Sequence, residues 1–136
     1  MKSTKSFLLP FIFITILSVF LSCSSDDDNP APQSRNIKYE ITGNYSGRLT
    51  VAFSDESGNS QTINVSSLPW SKSVTIENDV SAIALAAGNS GVNNPGSSGE
   101  TITLKIYRNE EMVEESTTVA TDNGFIELGI SYSFDL

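Results

Sequence analysis

The chain has 136 residues and a net charge of −8, with 16 acidic residues against 8 basic ones and no histidine. The absence of histidine excludes serine–histidine nucleophiles and histidine-based metal sites, and a single cysteine excludes an internal disulfide. Binding to nucleic acid is not expected, because an acidic surface repels the phosphate backbone.

Residues 1–22 have the pattern of a secretory leader. Lys2 and Lys5 give a positive start, Phe7–Leu21 supplies an apolar core, and Ser22 is the small residue before the sole cysteine, Cys23. This arrangement resembles a bacterial lipoprotein signal, which implies cleavage between Ser22 and Cys23 and acylation of the Cys23 thiol. An uncleaved membrane anchor is the alternative, although the apolar run is short of the roughly 20 residues that a span needs.

Residues 23–35 are predicted to form a flexible acidic tether, because they offer too little apolar surface to offset the entropy of ordering. The tether begins with a run of small and acidic residues, namely Ser24, Ser25, Asp26, Asp27 and Asp28. This run resembles the export signal that sends lipoproteins of Bacteroidota to the outer face of the outer membrane. We therefore expect an outer-membrane location with surface exposure; a solvated spacer is the alternative interpretation of the aspartates.

Residues 36–136 are predicted to form one all-β domain. Apolar and polar side chains alternate in short segments that are separated by turn-forming residues, a pattern typical of half-buried antiparallel strands. The predicted strands are Ile37–Thr42, Arg48–Phe53, Gln61–Ser66, Ser73–Glu77, Ser81–Ala87, Thr101–Tyr107, Met112–Val119 and a last one from Ile126 to Phe134. Seven to eight strands without helical periodicity favour a two-sheet sandwich over a barrel.

The longest interruption of the strand pattern is Gly88–Gly99, which is rich in Gly, Asn and Ser. We expect a long mobile loop at one end of the sandwich. Such a loop is either a recognition element held by a rigid scaffold or a tolerated surface insertion.

Trp70, the only tryptophan, follows Pro69 between two predicted strands. The ordinary interpretation is a ring that plugs the core or its rim, with a partner for the indole N–H. The functional alternative is an exposed aromatic platform for a sugar ring or a lipid, which makes Trp70 a candidate ligand-binding residue.

Three short motifs occur along the domain in a recognisable order: Lys38–Gly43, Leu68–Ser71, and Ile102–Asn109 followed by Val113. Together they resemble the extracytoplasmic domain of the MmpS family, small mycobacterial membrane proteins that accompany large RND-type exporters. The resemblance implies a small immunoglobulin-like β-sandwich and a transport accessory rather than an enzyme, with an RND-type transporter or another envelope protein as the partner. That family usually has an N-terminal membrane helix, whereas this chain has a lipoprotein-like leader.

No group of residues predicts catalysis. Glu110–Glu111 and Glu114–Glu115 are the densest carboxylates, and charges beside a strand ordinarily prevent edge-to-edge aggregation. We therefore expect a protein that is not an enzyme and that requires no cofactor or metal. Two functions remain: an accessory or interaction protein of an envelope transport system, held on the membrane by its N-terminal lipid, or a surface binding module for a glycan or host ligand.

The leader hypothesis predicts that Cys23→Ser abolishes acylation and leaves unprocessed precursor, since the thioether forms before cleavage in the lipoprotein pathway. Metabolic labelling with a fatty acid and the size of the protein on a gel would measure both effects. Normally processed, membrane-bound Cys23→Ser protein would contradict the hypothesis.

The export-signal hypothesis predicts that replacing Asp26, Asp27 and Asp28 together with Ala leaves acylation intact and protects the domain from protease on whole cells.

Overall fold

The structure is a computed structural model, and it describes residues 34–89 and 94–135. These residues form eight β-strands in chain order: β1 Asn36–Gly43, β2 Leu49–Ser54, β3 Ser60–Val65, β4 Trp70–Thr75, β5 Ala82–Gly88, β6 Thr101–Arg108, β7 Glu111–Val119 and β8 Glu127–Ser133. The strands make two four-stranded sheets, and every paired neighbour is antiparallel. The first sheet has the order β4-β1-β6-β7, and the second has the order β3-β2-β5-β8.

The core lies between the two sheets and takes one row of side chains from each central strand. In the first sheet, Ile37, Tyr39 and Ile41 of β1 are buried, and Ile102, Leu104 and Ile106 of β6 lie beside them. The second sheet contributes another row, which consists of Leu49, Val51 and Phe53 of β2 and of Ile83, Leu85 and Ala87 of β5. Each fully buried aliphatic side chain stabilises the fold by about 1.5–3 kcal/mol. The prediction of a two-sheet antiparallel sandwich of about eight strands is confirmed.

Tyr39 brings a polar group into this core without leaving it unpaired. Its side chain has no solvent exposure, and its hydroxyl donates a hydrogen bond of 3.0 Å to the carbonyl of Ser54 in the opposite sheet. Burial raises the pKa of Tyr39 to about 12. Because the folded-state pKa lies above the ordinary value of 10.0, the neutral phenol stabilises the fold below pH 10, and this contribution is lost as the pH rises towards 12.

The alternation of strand directions gives the sandwich two distinct ends. We call the end at which β1 begins the N-terminal end; it also contains the hairpin at residues 55–59, the connection at residues 76–81 and the turn at Asn109 and Glu110. The opposite end, which we call the loop end, contains residues 44–48, 66–69, 89, 94–100 and 120–126.

The backbone just before β1 is fixed at the N-terminal end. The Arg35 carbonyl accepts a 3.0 Å hydrogen bond from the Ile76 amide, and the Asn109 side chain donates one of 2.9 Å to the Ser34 carbonyl. The Arg35 guanidinium donates a hydrogen bond of 2.6 Å to the Val80 carbonyl and lies 4.3 Å from the centre of the Phe134 ring. Ser34 and Arg35 are therefore held against the N-terminal end of the sandwich.

Trp70 is the first residue of β4 rather than part of a connection, so the fourth strand begins earlier than the sequence predicted and ends at Thr75. Trp70 pairs with Ile41 in the strand register. Its ring is partly buried against the core, and the ring centre lies 5.8 Å from the centre of the Phe53 ring. Pro69 precedes it, in a cis peptide bond with Leu68.

This placement predicts that Trp70→Ala destabilises the domain by about 2–3 kcal/mol, less than a fully buried aromatic would cost, because part of the ring remains exposed. Urea unfolding followed by circular dichroism would measure the change. Trp70→Phe, which keeps a ring against Phe53, should cost less than about 1.5 kcal/mol. An unchanged midpoint for Trp70→Ala would show that the ring does not belong to the core and would favour an exposed ligand platform.

Candidate functional site

The loop end is where three separate connections meet, and we treat it as the candidate functional site. These are residues 44–48 between β1 and β2, residues 94–100 leading into β6, and residues 120–126 between β7 and β8. Connections of this kind carry binding residues in many sandwich proteins because the sheets hold them rigidly.

Tyr45 links all three connections through one hydroxyl. Its side chain is buried, with 5% of its surface exposed. The hydroxyl donates to the Gly124 carbonyl at 2.8 Å and accepts from the Gly96 amide at 3.0 Å, while the same amide also donates to the Gly124 carbonyl at 3.1 Å. These three groups thus form a closed triangle of hydrogen bonds beneath the surface of the loop end.

Glycine is needed around this triangle because the backbone approaches too closely for a side chain. A Cβ atom on Gly47 would lie 2.7 Å from the Tyr45 ring, and one on Gly96 would overlap the same ring. Gly124 has a φ of 74° and would place a Cβ against the Gly96 carbonyl. Even Ala at these positions would force the three connections apart.

Glu100 fixes the same connections from the solvent side. Its Oε2 atom accepts hydrogen bonds from the Ser46 amide, the Ser46 hydroxyl and the Ser97 amide, each at 2.9 Å. The bonds from the Ser46 and Ser97 amides lower the pKa of this carboxyl below its ordinary value of 4.5. The carboxylate therefore stabilises the loops above about pH 4.5, and this contribution is lost as the pH falls below its lowered pKa.

Gly88 is the last residue of β5, so the predicted Gly88–Gly99 loop begins one residue later; Asn89 and residues 94–99 form no strand and are held by hydrogen bonds. The Asn89 side chain donates to the Arg48 carbonyl at 3.0 Å and to the Asn94 carbonyl at 2.8 Å. The Arg48 amide donates to the Asn94 carbonyl at 3.1 Å. The described parts of this loop are thus attached to the neighbouring β1–β2 connection.

The outer surface of the loop end is composed mainly of short polar side chains with some apolar ones. Ser97, Ser98 and Asn123 are exposed, and Phe125 and Val119 keep 38% and 57% of their surface in solvent. Binding loops in antibodies combine Ser, Gly and Asn with aromatic residues in a similar way. This surface offers hydrogen-bonding groups and an exposed aromatic ring.

A groove lies on the outer face of the first sheet, towards the N-terminal end, and is lined by residues including Lys38, Thr75, Tyr107 and Glu110. The Lys38 ammonium bonds Glu40 at 2.9 Å and lies 4.2 Å from the centre of the Tyr107 ring. Hydrogen bonding between the two side chains raises the pKa of Lys38 and lowers that of Glu40. Since Lys38 lies over the Tyr107 ring, that face of the ring is not open to a stacked sugar.

The acidic pairs considered from the sequence are not brought together as pairs. Glu114 lies opposite Ile106 and Glu115 opposite Lys105, so the two carboxylates point to opposite faces of β7. Glu115 forms an ion pair with Lys105 at 3.6 Å. Within residues 34–89 and 94–135, no three acidic or cysteine side chains are grouped so that they could hold a metal ion.

The predicted lipidation and export residues, Cys23, Ser24, Ser25, Asp26, Asp27 and Asp28, lie outside the described residues. Trp70 lies at the loop end of β4 but contacts Phe53 rather than the Tyr45 triangle. Sequence reasoning missed Tyr45 and Glu100. The available signal for Tyr45 was its position between Gly43 and Gly47 in a short connection, where an aromatic residue has no strand to join.

Comparison with known families agrees with these observations. The family described as "Mycobacterium membrane protein" matches residues 13–124, which include the sandwich from β1 to the turn before β8. The chain belongs to this family. The match confirms the resemblance to the MmpS proteins and makes the chain a member of a membrane-protein family.

No curated protein matches the chain. In the part of the chain that the structure describes, no helix is long and apolar enough to cross a membrane.

The hydrogen-bonded triangle predicts that Tyr45→Phe destabilises the domain by about 1–2 kcal/mol, because the Gly124 carbonyl loses a buried donor. Hydrogen exchange at the Gly96 amide should accelerate in the same variant. Tyr107→Phe is the matched control, because it removes a partly exposed hydroxyl that donates a hydrogen bond of 3.2 Å to Glu40. It should change the free energy of unfolding by less than about 0.5 kcal/mol. Equal effects of the two substitutions would show that the triangle does not hold the loops.

Proposed function

We propose that this protein is a lipid-anchored, non-enzymatic accessory protein of an envelope transport system, and that it binds its partner through the loop end. The family is one of membrane proteins, which supports a role at a membrane. The lipoprotein-like leader ending at Cys23 and the acidic run after it support attachment by lipid to the outer membrane.

The observation that carries the proposal is the Tyr45 triangle. A binding surface made of loops gains affinity when the loops are already ordered before the partner arrives, because less entropy is lost on binding. Tyr45 orders three connections at once, and Glu100 adds three hydrogen bonds across two of them. This concentration of hydrogen bonds at one end of the domain supports a surface whose shape matters.

The position of this surface supports the same role. The chain joins the sandwich at Ser34 and Arg35, at the N-terminal end, whereas Tyr45 lies at the opposite end. A tether attached at one end therefore leaves the loop end free to contact another protein. By the family resemblance, the partner that we propose is an RND-type transporter or another component of the envelope.

The glycan-binding alternative receives less support from the geometry. Its sequence basis was Trp70 and the long polar loop. Trp70 is partly buried against Phe53, and the loop flanks contact other loops rather than an aromatic platform. Among the described residues, the remaining candidate for stacking a sugar ring is Phe125 at the loop end, which keeps 38% of its surface in solvent.

Site-specific photo-crosslinking in native membranes tests the proposal. A photoreactive amino acid would replace Asn123, in an exposed turn of the loop end, or Asn78, in an exposed turn of the N-terminal end. We expect a specific crosslink to an envelope protein from position 123 and none from position 78. A crosslink to the same protein from position 78 alone would place the contact at the wrong end and contradict the proposal.

A second experiment tests whether partner binding depends on the hydrogen bonds that hold the loops. Tyr45→Phe should weaken the crosslink from position 123 in proportion to its faster exchange at Gly96, whereas Tyr107→Phe should leave it unchanged. If the crosslink is lost only when glycans are removed from the cells, the glycan-binding function is supported instead.

A further inference from the structure

The edge strands of the first sheet and the edge strand β8 of the second sheet differ in how they are protected against pairing with another strand. Exposed edges offer unpaired N–H and C=O groups, and natural proteins block them with charged residues that point inward, with bulges or with proline. In the first sheet, Lys72 of β4 occupies the inward row opposite Tyr39, and Glu114 of β7 occupies the inward row opposite Ile106. The register of β7 also shifts at Val113, which has no partner on β6. Both edges of the first sheet are therefore protected.

β8, an edge of the second sheet, has none of these devices. It pairs with β5 over seven residues without a register shift, it contains no proline, and its one charge is Glu127 at the first position. Its inward row consists of Leu128, Ile130 and Tyr132, which are only partly buried. An added strand would cover this apolar row further.

The alternation of hydrogen bonds between β5 and β8 shows which N–H and C=O groups of β8 point towards its free edge. The Asn89 amide donates to the Ile126 carbonyl at 2.9 Å, and the Phe134 amide donates to the Ser81 carbonyl at 2.9 Å. Because bonded and non-bonded pairs alternate along an antiparallel ladder, the groups of Leu128, Ile130 and Tyr132 face β5. The N–H and C=O groups of Gly129 and Ser131 consequently point away from the sheet, at the middle of the open edge.

A cleft runs beside this edge, between β8 and the overlying β7. It is lined by Gly129, Ile130 and Ser131 of β8 with Ala84, Leu85 and Ala86 of β5 on one side, and by Glu114, Glu115 and Ser116 of β7 on the other. Glu115 pairs with Lys105, but Glu114 makes no ion pair with any residue of the described ranges. The cleft therefore carries excess negative charge next to unpaired backbone groups.

We propose that β8 accepts, by strand addition, an extended cationic segment of a partner protein. The segment would form backbone hydrogen bonds with Gly129 and Ser131, cover Ile130 with an apolar side chain, and place a Lys or Arg beside Glu114. A second copy of this chain fits the edge poorly, because it would bring another row of acidic β7 residues towards the first. This surface is on the side of the sandwich, and the inference is independent of the proposed function at the loop end.

The test uses the full-length processed protein in detergent micelles and a short fluorescein-labelled peptide of alternating valine and lysine, followed by fluorescence anisotropy. We expect saturable binding that falls by about tenfold or more for Ser131→Pro, which removes an outward N–H, and changes by less than about twofold for the matched variant Ser131→Ala. Glu114→Gln should weaken binding by about three- to tenfold and reduce its dependence on salt.

Modified peptides keep the test decisive if Ser131→Pro fails to fold, as judged by circular dichroism. The same peptide with alternate backbone nitrogens methylated should bind at least about tenfold more weakly, and so should the peptide with glutamate in place of lysine. Equal binding of the methylated peptide would overturn strand addition, and equal binding of the glutamate peptide would overturn the cationic partner. If size-exclusion chromatography shows a dimer that Glu114→Gln strengthens and Ser131→Pro dissociates, the edge is occupied by a second copy and the proposal is wrong.

Discussion

Burial of one side-chain row from each central strand between two sheets is the constraint on which the rest of this structure depends. The shared space has little room for an unpaired polar group, so the inner rows of β1, β2, β5 and β6 are apolar except at Tyr39, whose hydroxyl is bonded to Ser54, and at Arg108, the last residue of β6, which donates to the Tyr132 hydroxyl. Charged residues in an inward row also occur on the edge strands, at Lys72 and Glu114, where one side remains open to water. Inward charge thus occurs at the end of a strand or at the edge of a sheet.

The same packing leaves the connections at the loop end short of apolar surface, and hydrogen bonds hold them instead. The hydrogen bonds of the Tyr45 hydroxyl contribute about 1 kcal/mol or more to the free energy of unfolding. This is a substantial part of the roughly 5–15 kcal/mol that stabilises a typical domain. Because this hydroxyl joins three connections, its loss would loosen all of them without unfolding the sheets. This separation between a stable scaffold and a dependent surface is what a binding role of the loop end requires.

Charge is distributed unevenly over the domain and bears on both proposed surfaces. Acidic residues gather at the N-terminal end, namely Asp55, Glu56, Glu77, Asp79 and Glu110, while the guanidinium of Arg35 is bonded to backbone carbonyls there. In the proposed arrangement this end faces the membrane, and repulsion from anionic headgroups would keep the domain away from the lipid surface. The side cleft at Glu114 would attract a cationic segment by the same physics.

The sequence by itself determined the class of fold and most strand positions, because alternating side chains report directly which residues share a face. The rows Ile37–Ile41 and Ile126–Phe134 were predicted from this period, and both face the core. The start of β4 at Trp70 was missed, since Pro69 and the serines around it suggest a turn, whereas pairing with Ile41 extends the strand. Only the tertiary structure revealed the Tyr45 triangle, the Glu100 hydrogen bonds and the open edge of β8. These features join residues as far apart as Tyr45 and Gly124, and such contacts depend on how the sheets stack and not on any local pattern.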